Sequence, residues 1–436
     1  MKQFILICLS LYSCCSLSAQ SINKIIKEKE VRRIEKILSA DDMQGRQTFT
    51  PGIEKASAFI EAEFKKIGLQ PFNDASNFHQ EFYMYQSKTA KAKVIIDGKV
   101  IADSMVASFS YLPEIAFTEK SDIEVVKINR GDKFSPKFYQ YYQSKKNLLV
   151  MVDTAFSSQM KNVQKMERVS PEPGKNTIVF VLDNAAANTF SIAVTSQLIK
   201  KPLNNVVGVL PGKSKPDEYV VFSGHYDHLG ISKPGKDEPS EGRDSIYNGA
   251  NDDAAGTTAV IMLAKYFKKL NSNERTILFA AFVAEETGGF GSKYFSKQLA
   301  PEKVMAMFNI EMIGTTSKWG TNSAYITGYE KSDMGKILQA NLSGSEFHFE
   351  PDPYPKQNLF YRSDNASLAE LGVPAHTIST SKMEEAPNDE PNYHKQSDEI
   401  NTLDMNNMAR IIKAIAISSK TIISGKDTPT RVEKEN

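Results

Sequence analysis

The spacing of apolar side chains in the first hundred residues predicts helices followed by a β-hairpin. Residues 31–70 carry apolar positions three or four apart, as at Ile60 and Phe64, which is the period of an amphipathic helix. Residues 80–101 instead have strand character, and Asp97-Gly98 between two apolar runs is typical of a hairpin turn.

From residue 204 onward, short apolar runs alternate with amphipathic segments. The predicted buried strands are residues 219–222, 276–283, 304–310, 323–327 and 375–378. The predicted helices are residues 254–270, residues 363–371 and a final long helix marked by Met408, Ile411, Ile412 and Ile415. This alternation predicts an α/β fold, a three-layer sandwich with a mostly parallel central sheet.

Residues 96–203 do not continue this regular alternation. They contain apolar strand candidates at residues 148–152, 178–182 and 192–194, and no cluster of residues suited to catalysis. We therefore predict a β-rich insert here. The chain ends in a polar stretch, residues 426–436, for which we predict a disordered tail.

The N-terminus has the features of an export signal. Lys2 supplies a positive charge, an apolar core runs from Phe4 to Tyr12, and small residues lead to Ala19. We expect cleavage after Ala19 and a periplasmic or secreted protein. The apolar run is too short to span a bilayer. Cys14 offers a minor alternative, anchoring as a lipoprotein.

Charge and composition exclude several kinds of partner. The formal net charge is +1, and no cluster of basic and aromatic residues is present, so we expect no nucleic acid partner. We find no later segment suited to a transmembrane helix and no signal for an oligomeric state. All three cysteines lie within the predicted signal, so the mature chain is expected to have neither a disulfide nor a thiolate metal site.

Metal-binding side chains follow the predicted strands of the C-terminal half. His225 comes after the first of these strands, and Asp252 opens the long helix. Glu285 and Glu286 end the next strand, and Glu311 ends the one after it. Because ligands bind at the carboxyl ends of parallel strands, we expect these side chains to meet at one edge of the sheet. Imidazole and carboxylate groups together form a zinc ligand set, so the sequence predicts a metal centre.

Several short stretches in this order resemble peptidase family M28, the zinc aminopeptidases. They are Asp42–Arg46, Pro51-Gly52, His225-Tyr226-Asp227, Gly249–Gly256, Ala284–Gly288, Asn309–Gly314, Arg362-Ser363-Asp364 and Tyr393-His394. The resemblance covers roughly residues 30–85 and 204–420. It implies a zinc exopeptidase fold with peptides as substrates.

The resemblance also implies two zinc ions and assigns their ligands. Asp252 would bridge the two ions. His225 and Glu311 would complete one site, while Glu286 and His394 would complete the other. All five residues stand at the positions that match the family's motifs.

Three further residues receive catalytic roles from the resemblance. Glu285 would be the general base. Asp227 would orient the His225 imidazole through its other ring nitrogen. Tyr393 would donate a hydrogen bond to the developing oxyanion.

Four features depart from the family pattern. Asn365 stands where a histidine often follows Ser-Asp, and residues 100–200 do not clearly match the protease-associated insert that some relatives carry. Glu311 stands where aspartate is usual, which adds one methylene between backbone and metal. A polar insertion, Ile231 to Tyr247, separates His225 from Asp252 and could form a pocket wall or a plain surface loop.

The predicted domains are the signal peptide (1–19), the N-terminal part of the peptidase domain (20–95), an insert that resembles a protease-associated module only weakly (96–203), the zinc peptidase catalytic domain (204–425) and the tail (426–436).

We therefore predict an exported aminopeptidase that removes N-terminal residues from peptides by a metal-activated hydroxide. One alternative is a glutaminyl cyclase on a similar fold, although the pair His225 and Asp227 argues against its single zinc site. Another is a carboxypeptidase, which would need a cation for the substrate's carboxylate, and Arg362 is the candidate. Retention of the metal ligands and of Glu285 argues against a non-enzymatic ectodomain.

Overall fold

The computed structural model describes residues 22–166, 168–232, 244–383 and 390–434. The predicted signal, residues 1–19, lies outside the described residues, as does most of the insertion between His225 and Asp252. Within the described ranges, no helix combines the length and the apolar character needed to cross a bilayer.

The secondary structure alternates between strands and helices. The strands are β1 (Gln70–Pro71), β2 (His79–Ile96), β3 (Lys99–Ile101), β4 (Val106–Ser110), β5 (Glu114–Thr118), β6 (Glu124–Ile128), β7 (Leu148–Val152), β8 (Arg168–Ser170), β9 (Thr177–Leu182), β10 (Phe190–Leu210), β11 (Lys215–His225), β12 (Gly230–Ile231), β13 (Ile246–Tyr247), β14 (Arg275–Phe282), β15 (Val304–Ile310), β16 (Ser323–Ile326), β17 (His348–Pro351) and β18 (Ala375–Ser379). The α-helices are α1 (Glu28–Leu38), α2 (Pro51–Ile67), α3 (Phe134–Tyr142), α4 (Ser157–Val163), α5 (Ala255–Leu270), α6 (Phe290–Ser296), α7 (Met334–Leu342), α8 (Ala366–Ala369), α9 (Met405–Ser418) and α10 (Lys420–Ile423).

The chain forms two compact units. The first combines the described residues up to Glu81 with those from Leu203 onward, and the second is Phe82–Pro202. The second unit contains the four-stranded sheet β4-β9-β7-β6, in which β7 is parallel to both of its neighbours. Helices α3 and α4 place Phe138 and Met160 in an apolar cluster with these strands. The predicted insert therefore contains helices as well as strands.

The sheet of the first unit is parallel at its centre. Strands β18, β15, β11 and β14 lie side by side and are parallel, while β10 and β16 flank them in the antiparallel sense. Strands β14 and β18 are buried throughout, β15 is buried at all but one residue, and β11 is buried over residues 220–225. A parallel sheet needs cover on both faces, so buried strands of this kind are expected at its centre. The predicted α/β fold with a mostly parallel central sheet is confirmed.

Helices cover both faces of this sheet. Phe222 of β11 stacks against Phe267 of α5 at a ring-centroid distance of 5.5 Å. Val221, one residue earlier, belongs to an apolar cluster with Phe295 of α6 and Leu368 of α8. Since successive side chains of a strand point to opposite faces, α5 lies on one face and α6 and α8 lie on the other. The sheet and the helices on its two faces form the three layers of the predicted sandwich.

The parallel strands end close to the predicted metal ligands. Strand β11 ends at His225 itself, and β15 ends one residue before Glu311. Strand β14 ends three residues before Glu285, and α5 begins three residues after Asp252. The carboxyl edge of the sheet therefore brings together side chains that are far apart in the sequence.

The described part of the C-terminal tail is ordered. The backbone N–H of Thr430 donates to the Asp333 carboxylate at 2.7 Å, and Arg431 donates to the backbone carbonyl at the start of β15 at 2.8 Å. Val432 is buried in the apolar cluster of the first unit. The predicted disorder is therefore wrong for residues 426–434. These few specific contacts hold the segment against the first unit, and they cannot be recognised from the polar composition of the sequence.

Glu35 of α1 is a buried carboxyl group whose titration bears on stability. Its Oε2 accepts a hydrogen bond from the Thr258 hydroxyl at 2.9 Å. Burial raises the pKa of Glu35 from 4.5 to about 8. Between these values the unfolded chain loses the proton while the folded protein keeps it. The free energy of unfolding should therefore fall as the pH rises through this window.

Glu35→Gln is expected to raise the melting temperature at pH 8 and to change it less at pH 5. The amide keeps the hydrogen-bond acceptor for Thr258 and removes the titration. The gain at pH 8 is a few kcal/mol, at about 1.4 kcal/mol per pKa unit. Thermal melts of this variant and of the exposed control Glu54→Gln test the expectation. A difference that does not change with pH would contradict it.

Candidate metal centre and active site

The carboxylate of Asp252 stands in the middle of the predicted ligands. Its Oδ1 lies 3.2 Å from His225 Nε2, and its Oδ2 lies 3.2 Å from His394 Nε2. His394 Nε2 also lies 3.3 Å from Glu286 Oε2. His225, Asp252 and Glu311 form a group whose ligand atoms are all within 4.8 Å of one another. The structure thus brings the five predicted ligands together, with one oxygen of Asp252 facing each of two groups.

The spacing of these atoms fits metal ions. Ligand atoms of a tetrahedral zinc ion lie about 3.3 Å apart, close to the three nitrogen–oxygen distances in this cluster. His225 Nε2 and Glu311 Oε2 are buried, and neither has a hydrogen-bond partner among the described residues. Buried polar atoms are rarely left without a partner unless an ion or water completes them. The cluster is therefore suited to holding metal.

Negative charge dominates the cluster. Burial raises the pKa of Glu311 to about 7 and holds the pKa of Glu285 well above its usual range. Burial alone would lower the pKa of His394, but hydrogen bonds to Asp252 and Glu286 raise it to about 10. The two glutamates favour the protonated form mainly because they are buried, and His394 keeps its proton because the carboxylates of Asp252 and Glu286 lie beside it. A metal cation would compensate the carboxylates and release the protons.

Two further carboxylates shape the backbone that carries the ligands. Asp398 accepts hydrogen bonds from two consecutive backbone N–H groups, the second being that of Asp252, at 2.8 and 3.0 Å. Asp253 accepts from the backbone N–H groups of His225 and Met312, both at 3.1 Å. The peptide bond between Asp252 and Asp253 is cis. Sequence reasoning gave neither Asp253 nor Asp398 a role, and nothing in the pattern around Asp398 marks it.

Arg46 connects the N-terminal segment to the same backbone. Its fully buried guanidinium donates to the carbonyls of Tyr226, Asn248 and Gly249 at 2.6–2.8 Å. These carbonyls belong to the segments that follow β11 and precede α5. Arg46 lies in one of the stretches that resemble the family, but the resemblance did not reveal this contact.

The contacts of Asp227 differ from the predicted ones. The His225 Nδ1 atom lies 3.1 Å from the backbone carbonyl of Asp227 and 3.8 Å from its carboxylate. The carboxylate instead accepts a hydrogen bond from the backbone N–H of Glu285 at 3.1 Å. Asp227 therefore holds His225 through its main chain and positions Glu285 through its side chain.

The chain turns between β14 and the two glutamates. Ala284 has a φ of 63°, which lies in the left-handed region that few residues other than glycine adopt. The backbone N–H groups of Gly288 and Gly289 both donate to the carbonyl of Glu285. This turn separates the surroundings of Glu285 from those of Glu286.

His228 is a second imidazole beside Glu286. Its Nδ1 lies 2.7 Å from Glu286 Oε1 and 3.9 Å from Asp252 Oδ2, and these three residues also form a group that could hold a metal. The distance of 2.7 Å is that of a hydrogen bond and is short for two ligands of one ion. His228 therefore fits as a donor that orients Glu286, whose other oxygen faces His394.

Tyr393 and Arg362 border the cluster. The Tyr393 ring stacks on the His394 ring with centroids 3.9 Å apart. Burial and the neighbouring carboxylates raise the pKa of Tyr393, so its hydroxyl keeps its proton at neutral pH. Tyr393 and Arg362 both line an open cavity beside Glu311.

The fold and the cluster agree with the family to which the chain is similar in sequence. A parallel sheet with two imidazole–carboxylate groups at its carboxyl edge defines a candidate metalloenzyme of the α/β class. Residues 205–418 match the model of peptidase family M28. This matched segment, about half of the chain, contains all the candidate ligands and is what the chain shares with the family.

Individual relatives share a limited part of the chain. A probable zinc metalloprotease of Leptosphaeria maculans is 31% identical over 119 residues, which are 26% of this chain and 25% of that protein. The aminopeptidase YwaD of Bacillus subtilis is 29% identical over 116 residues, 26% of this chain and 22% of that protein. The matches thus span about a quarter of the relatives' length. A solved zinc aminopeptidase from Bacillus subtilis shares the fold, with a TM-score of 0.54, 14% identity and coverage of 94% of this chain and 98% of that chain.

Proposed function

We propose that the protein is an aminopeptidase that binds two zinc ions and hydrolyses the first peptide bond of its substrates. The observation that carries the proposal is the position of Asp252, which presents one oxygen to each of two ligand groups. The match of residues 205–418 to the model of peptidase family M28 supports it, as do relatives named zinc metalloprotease and aminopeptidase.

The chain provides separate ligands for each ion. His225 and Glu311 would hold one ion, Glu286 and His394 the other, and Asp252 both. Although Glu311 is one methylene longer than the aspartate usual in the family, its carboxylate lies within the first group. When bound, two zinc ions supply a water of lowered pKa and polarise the scissile carbonyl.

Glu285 is placed to move the proton. It belongs to neither ligand group, its side chain is 15% exposed, and its Oε2 lies 4.0 Å from His225 Nε2. It would take a proton from the attacking water as the carbon–oxygen bond forms. It would return that proton to the amine as the carbon–nitrogen bond breaks. The Asp227 carboxylate positions the backbone of Glu285 by accepting a hydrogen bond from its N–H group.

Tyr393→Phe is expected to lower kcat by about 10- to 1,000-fold with a smaller change in KM. The Tyr393 hydroxyl keeps its proton and can donate to the oxyanion, an interaction made mainly in the transition state. Steady-state kinetics on an aminoacyl amide measure the effect, with the exposed Tyr139→Phe as control. An unchanged kcat would remove Tyr393 from the mechanism.

One set of peptides tests the proposed activity. An aminopeptidase must accept a free α-amine, and the carboxylates of this site can receive the ammonium group. We expect cleavage of a peptide with a free N-terminus and little or none of its acetylated form. The measurement is mass spectrometry of a single peptide in free, N-acetylated and C-amidated forms, with a glutamine-first peptide added.

Each alternative activity would leave a different product. A glutaminyl cyclase would release ammonia from the glutamine-first peptide and leave its peptide bonds intact. A carboxypeptidase would cleave the acetylated peptide and spare the amidated one. Efficient cleavage of the acetylated peptide would therefore end the aminopeptidase proposal.

We also propose that the protein is exported and loses its signal after Ala19. The charge at Lys2, the apolar core and the small residues before Ala19 support this proposal. N-terminal analysis of the protein recovered outside the cytoplasm should find Gln20 as the first residue. A mature chain that begins at a lipid-modified Cys14 would show lipoprotein anchoring instead.

A further inference from the structure

The cavity beside Glu311 opens next to the proposed reaction centre. Its lining includes Glu311, from the first ligand group, and Tyr393, which stacks on a ligand of the second. The residues that line it all belong to the first unit. A substrate held at the metals would have one of its side chains within reach of this space.

The cavity wall carries several buried hydroxyl groups beside the apolar side chains of Met312, Leu359 and Met383. The Tyr325 hydroxyl lies 2.9 Å from Ser381 Oγ, which lies 3.0 Å from Ser379 Oγ. Thr327 and Thr377 also line the cavity and are buried. The polar end of a substrate side chain can exchange hydrogen bonds with these hydroxyl groups while its methylene groups contact the apolar residues.

The charge that the wall can offer to a ligand is positive. Arg362 and Glu311 are the charged residues of the described lining, and Glu311 belongs to the ligand group. Among the residues that the structure describes, the exposed guanidinium of Arg362 donates to the Gln357 side-chain oxygen alone, at 3.5 Å. Among the described residues, no carboxylate forms an ion pair with it. Its hydrogen-bonding edge can therefore serve a bound anion.

We infer that this cavity selects substrates whose first residue carries a side-chain carboxylate, aspartate or glutamate, and that Arg362 is the specificity-determining residue. The inference rests on the proposed aminopeptidase function. A guanidinium binds a carboxylate with two parallel hydrogen bonds, and the hydroxyl wall can donate to the same oxygens. A lysine side chain would meet a like charge, and the amide of asparagine or glutamine would lose the charge-assisted bonds.

The test is the rate of hydrolysis across a panel of p-nitroanilides. The zinc-loaded mature protein is assayed on the aspartyl, glutamyl, asparaginyl, glutaminyl, leucyl and lysyl derivatives. We expect kcat/KM for each acidic derivative to exceed that of its amide counterpart by about tenfold or more. Arg362→Gln should remove most of this preference, and Arg362→Lys should retain part of it. Arg130→Gln, which removes an exposed arginine of the second unit, should leave the preference unchanged.

The outcomes separate this inference from the function on which it rests. Turnover of leucyl or lysyl derivatives without a preference for acidic ones would overturn the inference and leave the aminopeptidase standing. An equal loss on all derivatives in Arg362→Gln would also overturn it, because a specificity residue must change the ratio. Absence of turnover on every derivative would overturn both. Cleavage of N-acetylated peptides that depends on Arg362 would assign this residue to a C-terminal carboxylate instead.

Discussion

Glu285→Gln is expected to keep both zinc ions and to lose about 10²- to 10⁴-fold of its turnover. The amide has nearly the shape of the carboxylate but cannot accept the proton of the attacking water. Glu285 lies outside both ligand groups, so its replacement should leave the metals in place. Elemental analysis and kcat on an aminoacyl amide, measured on the same preparation, give the two quantities.

The neighbouring glutamate provides the matched control. Glu286→Gln makes the same chemical change one residue later, at a side chain whose Oε2 faces His394 at 3.3 Å. This variant should lose metal, whereas Glu285→Gln should not. If Glu285→Gln loses the metal instead, the two roles have been assigned in the wrong order.

Asp252→Asn is expected to lose both zinc ions and nearly all activity. Each oxygen of Asp252 lies 3.2 Å from the imidazole of a different group, so one substitution weakens both groups. His394→Ala affects only the second group and should lose a single ion. Zinc content after dialysis distinguishes the two variants. Chelation of the wild-type protein should abolish activity, and added zinc should restore it.

Full zinc occupancy in His394→Ala would contradict the ligand assignment. His228 would then be the candidate for the missing ligand, because it lies 2.7 Å from Glu286 and 3.9 Å from Asp252. The double variant His228→Ala/His394→Ala would show whether one imidazole replaces the other. Retention of both ions even there would exclude an imidazole from the second group.

Elements defined by continuous burial were predictable from the sequence. Strands β7 and β15 have the predicted bounds, and β14 differs from its prediction by one residue at each end. Strand β7 has no polar residue, and β15 and β14 contain unbroken apolar runs at residues 304–308 and 277–282. Helices α3 and α4 were missed because they are short and lie between strands in a unit without a regular alternation. Their apolar positions are decided by contacts within that unit.

The gathering of His225, Asp252, Glu286 and Glu311 was also predictable, because the ends of parallel strands meet at one edge, whereas His394 was expected only from the resemblance to the family. The residues that hold those ligands in place were not predictable. Asp398 contacts the backbone of residue 252, which is 146 positions away, and Arg46 contacts Tyr226 across 180 positions. Such partners leave no periodic signal in the sequence. The same reason applies to Asp227, whose side chain binds the backbone of Glu285 rather than the imidazole of His225.

The contacts of Arg46 bear on how the protein can be divided for expression. The family match begins at residue 205, yet buried carbonyls at Tyr226, Asn248 and Gly249 take their hydrogen bonds from Arg46. A fragment cut at the limits of the match would leave these acceptors unpaired and would expose the side of α5 that α1 covers. An expressed fragment should therefore include residues 22–81 together with the matched region. The scaffold of the candidate site is encoded by two separate stretches of the gene.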